Sequence, residues 1–144
     1  DDGVDGAELN RIKQALGNAG AMVRVVASHQ GELQPAMDDI TIEGADVSVA
    51  ADDSVLTTSC VLFDGIVVMN GSERMVNAML SDPRYKEFVK DTYKHYKPIA
   101  VYGNAEDFVM KAIGDDLTVK EGIVTNGSPE AVIDAFKEGR FWNR

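Results

Sequence analysis

Tyr93-Lys94-His95-Tyr96-Lys97-Pro98-Ile99-Ala100-Val101-Tyr102-Gly103-Asn104-Ala105 holds the fold in miniature: a helix end, a short strand and a sharp turn into the next helix. Pro98 bars the helix from continuing and biases Lys97 toward extended geometry. Ile99, Ala100 and Val101 form a small apolar run suited to a strand covered on both faces. Gly103 and Asn104 tolerate positive φ, and Ala105-Glu106-Asp107-Phe108 restarts a helical pattern. In many α/β enzymes a strand–turn–helix elbow of this kind exposes the nucleophile. Here the tip of the elbow is Tyr102, with neither serine nor cysteine. The frame is enzyme-like and the nucleophile is not.

Working outward, Asp5 is the N-cap expected for a helix bearing Leu9, Ile12, Leu16 and Ala19, with Gly20 closing it. Met22–Ala27 reads as a β-branched strand. Between Ser28 and Ser54 the signals weaken, and Ile40-Thr41-Ile42 and Val47-Ser48-Val49 alternate like short strands or a hairpin. Ile66-Val67-Val68-Met69 is a near-continuous apolar strand of the buried kind. Asn70-Gly71-Ser72 turns it into a helix carrying Met75, Val76, Met79 and Leu80. Asp82-Pro83 starts a second helix with Tyr85, Phe88, Val89 and Thr92 on one face. Beyond the elbow come a helix from Ala105 to about Ile113, a strand at Gly122–Thr125 and a helix from Ser128 to Glu138, ended by Gly139. Phe141-Trp142 is expected to dock back on the body.

Strands near 22–27, 65–69, 98–102 and 122–125, alternating with helices, predict an α/β fold: a doubly wound parallel sheet, flavodoxin-like in order. The first strand of that order is central. The chain, however, opens on Asp1-Asp2-Gly3-Val4-Asp5-Gly6, which reads as the turn after a strand. The expectation is a first central strand lying before residue 1, with something filling the slot between the strands at 22–27 and 65–69.

A length of 144 residues, 44% of them hydrophobic, suits one domain spanning 1–144. The net charge of −10 argues against nucleic acid and anionic membrane as partners. No apolar run reaches the length of a membrane span. Cys60 is the only cysteine, so an internal disulfide and a cysteine-based zinc site are excluded.

Each reactive side chain has a bland reading beside the sharp one. Tyr102 is a phenol of ordinary pKa near ~10, with no base nearby in sequence, and reads as a packing residue whose hydroxyl finds a partner. Cys60 reads as a buried structural cysteine, with a redox-sensitive thiol as the alternative; Thr57-Thr58-Ser59 gives it no positive charge. His95 sits near a helix C-terminus, where a cation is favoured. His29 lies alone in a loop, and neither histidine has a partner at ligand spacing, so no metal site is expected. Asp52-Asp53 and Asp115-Asp116 read as solvated turns and caps. Asn70-Gly71-Ser72 resembles a phosphate-cradling turn but lacks the dinucleotide fingerprint. Met69, Met75 and Met79 are spaced for core packing.

Asp2-Gly3-Val4-Asp5, Ser59-Cys60-Val61-Leu62-Phe63-Asp64-Gly65-Ile66-Val67-Val68, Tyr93-Lys94-His95-Tyr96-Lys97-Pro98-Ile99-Ala100, Glu121-Gly122-Ile123-Val124 and Phe141-Trp142 together resemble the C-terminal domain of large-subunit catalases. The resemblance covers essentially the whole chain. It implies a flavodoxin-like domain, related to class I glutamine amidotransferases and PfpI-type proteases and chaperones, excised from the C-terminus of a larger catalase. It also implies a parent haem enzyme that dismutates hydrogen peroxide as a homotetramer, with the haem ligands kept in its core domain. PfpI-type relatives place a cysteine at the elbow, usually followed by histidine, with an acidic residue nearby; Tyr102 and Gly103 occupy those two positions here.

The resulting expectation is a non-catalytic domain without cofactor or metal of its own. Its partners would be the catalase core and sister subunits, and its role stability and assembly. The alternative is a chaperone-like holdase for unfolded clients, which needs an accessible apolar patch flanked by charge. Residual hydrolase or glyoxalase-like activity at the elbow is the third reading.

Overall fold

The computed structural model describes residues 1–36, 42, 46–114 and 120–144. The proposed strand at Ile40-Thr41-Ile42 and the pair Asp115-Asp116 therefore fall wholly or largely outside the described residues. Helix α1 spans Gly6–Asn18, and the Asp5 carboxylate caps it by accepting from the Glu8 amide. Helices α2 (Glu73–Ser81) and α3 (Pro83–Lys94) start on the side chains of Ser72 and Asp82, and α5 (Pro129–Glu138) starts on Ser128. Each of these oxygens takes an amide that the first helical turn leaves without a partner. Helix α4 (Ala105–Ile113) has no such cap from Asn104, and its first amides are met differently.

Three parallel strands form the central sheet: β5 (Ile66–Val68), β6 (Ile99–Val101) and β7 (Ile123–Thr125), with β6 in the middle. The register pairs Ile66 with Ile99 and Ile99 with Ile123. Strand β6 alternates between two cores, as a strand must. Ile99 and Val101 join Met75, Met79, Val89 and Phe108 beneath α2, α3 and α4. Ala100 and Tyr102 join Ile12, Leu16 and Val132 beneath α1 and α5. The result is a three-layer α/β arrangement of the flavodoxin-like kind.

The strand expected at 22–27 is shorter than its apolar run. Only β1, Val26–Ala27, is laddered, in parallel with β4 (Asp53–Ser54). Ahead of it the Val25 amide is taken by the Asp52 carboxylate at 2.7 Å, a side chain standing in for a ladder partner. Asp52-Asp53 is thus not a solvated turn: Asp52 holds Val25, and Asp53 forms a two-point ion pair with Arg24. The alternating stretch at 47–49 pairs elsewhere than expected, since β3 (Val49–Ala51) runs antiparallel to β2 (Gly31–Leu33).

Strands β1 and β5 are not paired with each other. Between them lies an apolar cavity of about 550 Å³, walled by Val23–Val26 on one side and Ile66–Met69 on the other.

Helix α3 ends on Tyr96 in the left-handed region (φ 61), and the Lys97 amide bonds back to Thr92. That closure usually uses glycine. The Phe141 amide bonds to the Tyr96 carbonyl and the Trp142 ring lies 5.3 Å from the Tyr96 ring, so the tail docks, although Trp142 stays 71% exposed. No described helix is long and apolar enough to cross a membrane.

Candidate functional site

The elbow between β6 and α4 is the place where the fold would present a reactive group. Tyr102 follows the last residue of β6 and is 3% exposed; its hydroxyl donates to the Gly127 carbonyl at 2.9 Å. The left-handed residue of the turn is Gly103 (φ 54), whereas Asn104 is helical (φ −63), so only one of the two permissive positions is used. Tyr102 is not among the positive-φ residues, so the backbone strain that pushes a nucleophile outward is absent from it.

In acyl-transfer elbows the amide after the nucleophile helps to bind the oxyanion. Here that amide, Gly103 N–H, donates to Asn126 Oδ1 at 2.7 Å. The next amide, Asn104 N–H, donates to Asn70 Oδ1 at 2.9 Å, and the Asn104 side chain donates to the Gly71 carbonyl. Two asparagine oxygens therefore plug the elbow just ahead of α4, whose own first amides, Ala105 and Glu106, bond to the Tyr102 and Gly103 carbonyls. Asn126 itself pays with a left-handed backbone (φ 48). The phosphate-like turn at Asn70-Gly71-Ser72 is equally engaged, with the Ser72 amide on the Gly3 carbonyl and Gly71 bridged to Val4.

Burial, then the charge of Glu8, raises the Tyr102 pKa; Arg11 opposes this. Glu8 lies in the first turn of α1, paired with Arg11 at 3.5 Å, and its own pKa is raised by burial and then by Asp5. A phenol pushed further from ionising is a poorer nucleophile at neutral pH. Sequence reading missed Glu8 and Arg11 beside Tyr102, because nothing local in the chain predicts which helix face meets the elbow.

Cys60 is buried in a short 3-10 turn, Cys60–Leu62. Its neighbours supply no positive charge, yet the structure does: the buried Lys97 ammonium donates to the Cys60 carbonyl at 2.7 Å. The bond goes to the backbone, and ties the segment before β5 to the one before β6. His95 caps the C-terminus of α3. His29, expected to stand alone, is instead 3.1 Å from Asp2, and ligand atoms of Asp1, Asp2 and His29 lie within 4.8 Å of one another. Those carboxylates are already accepting: Asp1 from Ser28, Tyr85 and the Asp2 amide, and Asp2 from the Gln34 amide. The cluster pins the first residues to the body.

The residues around the 550 Å³ cavity do not fit a haem. Among the described residues no histidine or cysteine lines it, its Tyr85 hydroxyl is committed to Asp1, and of its methionines Met75 and Met79 are packed into the core.

Residues 1–144 match the family described as the C-terminal domain found in long catalases. The chain is similar to a catalase HPII from Mycobacterium avium, 32% identical over 125 residues, which are 87% of this chain. The match spans only 17% of that relative's length. Among solved structures, a DJ-1 superfamily protein from Salmonella typhimurium superposes with a TM-score of 0.69 at 16% identity, covering 94% of this chain and 82% of the other. A two-domain protein from Anabaena variabilis, with DJ-1/ThiJ/PfpI-like and ferritin-like domains, gives 0.67 at 19% identity, covering 96% and 46%. These two likenesses are of fold.

Proposed function

The chain belongs to the C-terminal domains found in long catalases, and from that premise we propose that it is a non-catalytic module contributing to the stability and assembly of its parent enzyme. The parent reaction would be hydrogen peroxide dismutation at a haem held in a separate core domain. The observation that carries the non-catalytic reading is the plugged elbow. Its tip hydroxyl is bonded to Gly127 and its would-be oxyanion amide to Asn126. An acyl-transfer site needs both groups free for substrate.

Partner contact is supported by Leu56, Val61 and Leu62, exposed at 69%, 63% and 72% along one segment. Apolar side chains this exposed favour burial against another surface, which for this family would be the catalase core or a sister subunit. The same patch beside a −10 charge also suits a holdase. The two readings separate in one assay: a holdase suppresses aggregation of a heat-denatured client without ATP, and an assembly module does not.

The decisive experiment deletes this domain from the intact parent enzyme. The expected result is a lower melting temperature or loss of tetramer, with the haem spectrum retained in whatever folds. Isolated, the domain should show no Soret band and no peroxide decomposition. A deleted enzyme that remains tetrameric, haem-loaded and inactive would make the domain catalytic and end this reading.

A further inference from the structure

Two stretches far apart in the chain meet at the C-terminal end of α3. Tyr93-Lys94-His95-Tyr96-Lys97 and Arg140-Phe141-Trp142-Asn143-Arg144 together hold four Lys/Arg, one histidine and four aromatic rings, and no Asp or Glu. On a chain of net charge −10 this is a local inversion of sign. The packing behind it is firm. Arg144 donates to the carbonyls of Tyr93, Lys97 and Glu121, and its guanidinium lies 4.2 Å from the centre of the Tyr93 ring. The Phe141 amide donates to the Tyr96 carbonyl, and the Phe141 ring takes the space that a side chain at Gly122 would need. Lys97 is turned inward onto Cys60. These bonds order a surface on which Lys94, His95 and Trp142 are exposed and Arg140 is half-buried. A tryptophan that rests on Tyr96 and still faces water is a preorganised anchor, the residue type that most often carries the binding energy of an interface.

The charge on the rest of the chain identifies what fits. Residues 25–64 carry eight Asp/Glu and no Lys or Arg. Glu32, Asp46, Asp52 and Asp64 are exposed there, and the exposed Leu56 is an apolar anchor in the same stretch. The two surfaces share no element: one is built from the end of α3 and the tail, the other from β2, β3, β4 and the turns beside them. Copies that met through their basic surfaces, or through their acidic ones, would bring like charges together, so only the crossed pairing is attractive. We propose that the surface of Lys94, Arg140 and Trp142 docks on the 25–64 stretch of a second copy of this chain. Trp142 and Leu56 are the apolar anchors, and Lys94 and Arg140 lie among the carboxylates. The proposal rests on the assembly role above and names the surface by which sister subunits meet. A crossed contact of this kind closes as a ring, or is made twice across a twofold axis.

The test treats the intact parent enzyme with a water-soluble carbodiimide, which joins a lysine amine to a carboxylate in contact with it as an amide and takes up the water released. The expected products are covalent dimers whose linking peptides pair Lys94 with Glu32, Asp46, Asp52 or Asp64. Their yield should fall about tenfold or more in Arg140→Glu/Trp142→Ala, which retains Lys94. It should fall likewise for the unaltered enzyme in about 0.5 M NaCl, where exposed charges are screened. An unchanged melting temperature of the double variant shows that the fold is kept, and the salt arm needs no variant at all. Links from Lys94 only within its own chain, or none, overturn the proposal, as do yields that neither the variant nor salt lowers. Links only to carboxylates outside residues 1–144 give the surface to the core domain and overturn the assignment to a second copy. Deleting the domain tests the assembly role separately. A deletion that destabilises the parent, with no crossed links, keeps that role and removes this surface from it; crossed links with a deletion that changes nothing do the reverse.

Discussion

Strands β5 and β6 lie side by side with nearly the same sequence, Ile-Val-Val and Ile-Ala-Val, and live in different surroundings. Ile99, Ala100 and Val101 are each 0% exposed, paired on both edges and covered on both faces. Ile66, Val67 and Val68 are half-buried, paired on one edge only, with the cavity along the other. Composition made both strands; neighbours decide what each contributes. An apolar run earns its full burial only where the next strand and both helical layers are in place.

Ile66 and Ile99 sharpen this contrast, since they are the same residue type in direct register. Truncating Ile99 to alanine should cost about 2–5 kcal/mol, the range for a fully enclosed side chain. Ile66→Ala should cost roughly half as much, because its surroundings are already partly open. Denaturant melts of the two variants decide the matter, and equal losses would break the comparison.

A second expectation concerns the open side alone. The His29 pKa is raised by the Gln30 carbonyl and then by Asp2, so its contribution to stability is present below 6.5 and fades as pH climbs through the raised value. Tm should fall across that window, and His29→Gln should flatten the slope. A slope that the substitution leaves unchanged would show that His29 gains nothing from these partners in the folded state.

The smallest effect belongs to the closed side. Tyr102→Phe removes the bond to Gly127 while keeping the ring, and should cost about 1 kcal/mol. Tyr102→Cys should give no esterase or glyoxalase activity, because Asn126 still holds the Gly103 amide. Turnover by that variant, measured against an Asn126→Ala control, would mean the plug yields to substrate.

Much of this architecture was legible in the chain because its signals are local. Asp5, Ser72, Asp82 and Ser128 cap the helices that follow them, and Pro98 with Gly103 brackets β6. What was not legible depends on residues far apart. Asn126 reaches Gly103 across 23 positions and Lys97 reaches Cys60 across 37, and neither pairing leaves a spacing signature. Met22–Val25 looked like strand because β-branched residues favour one, yet a ladder forms only where a partner edge is available, and Asp52 serves Val25 instead. Glu8 was visible as a helical acid; its place beside Tyr102 came only with the packing of α1.

Both asparagines that plug the elbow are followed by glycine, as Asn70-Gly71 and Asn126-Gly127. That is the context in which an asparagine side chain most readily loses ammonia to attack by the next backbone nitrogen. The direct product, aspartate, keeps an oxygen acceptor and adds negative charge beside the first amides of α4, where the helix dipole favours it. The rearranged product inserts an extra backbone carbon into a turn already held at a left-handed angle, and draws the acceptor away from its amide. Rearrangement at these two positions is thus one route by which chemical ageing would reopen an elbow that the fold keeps shut.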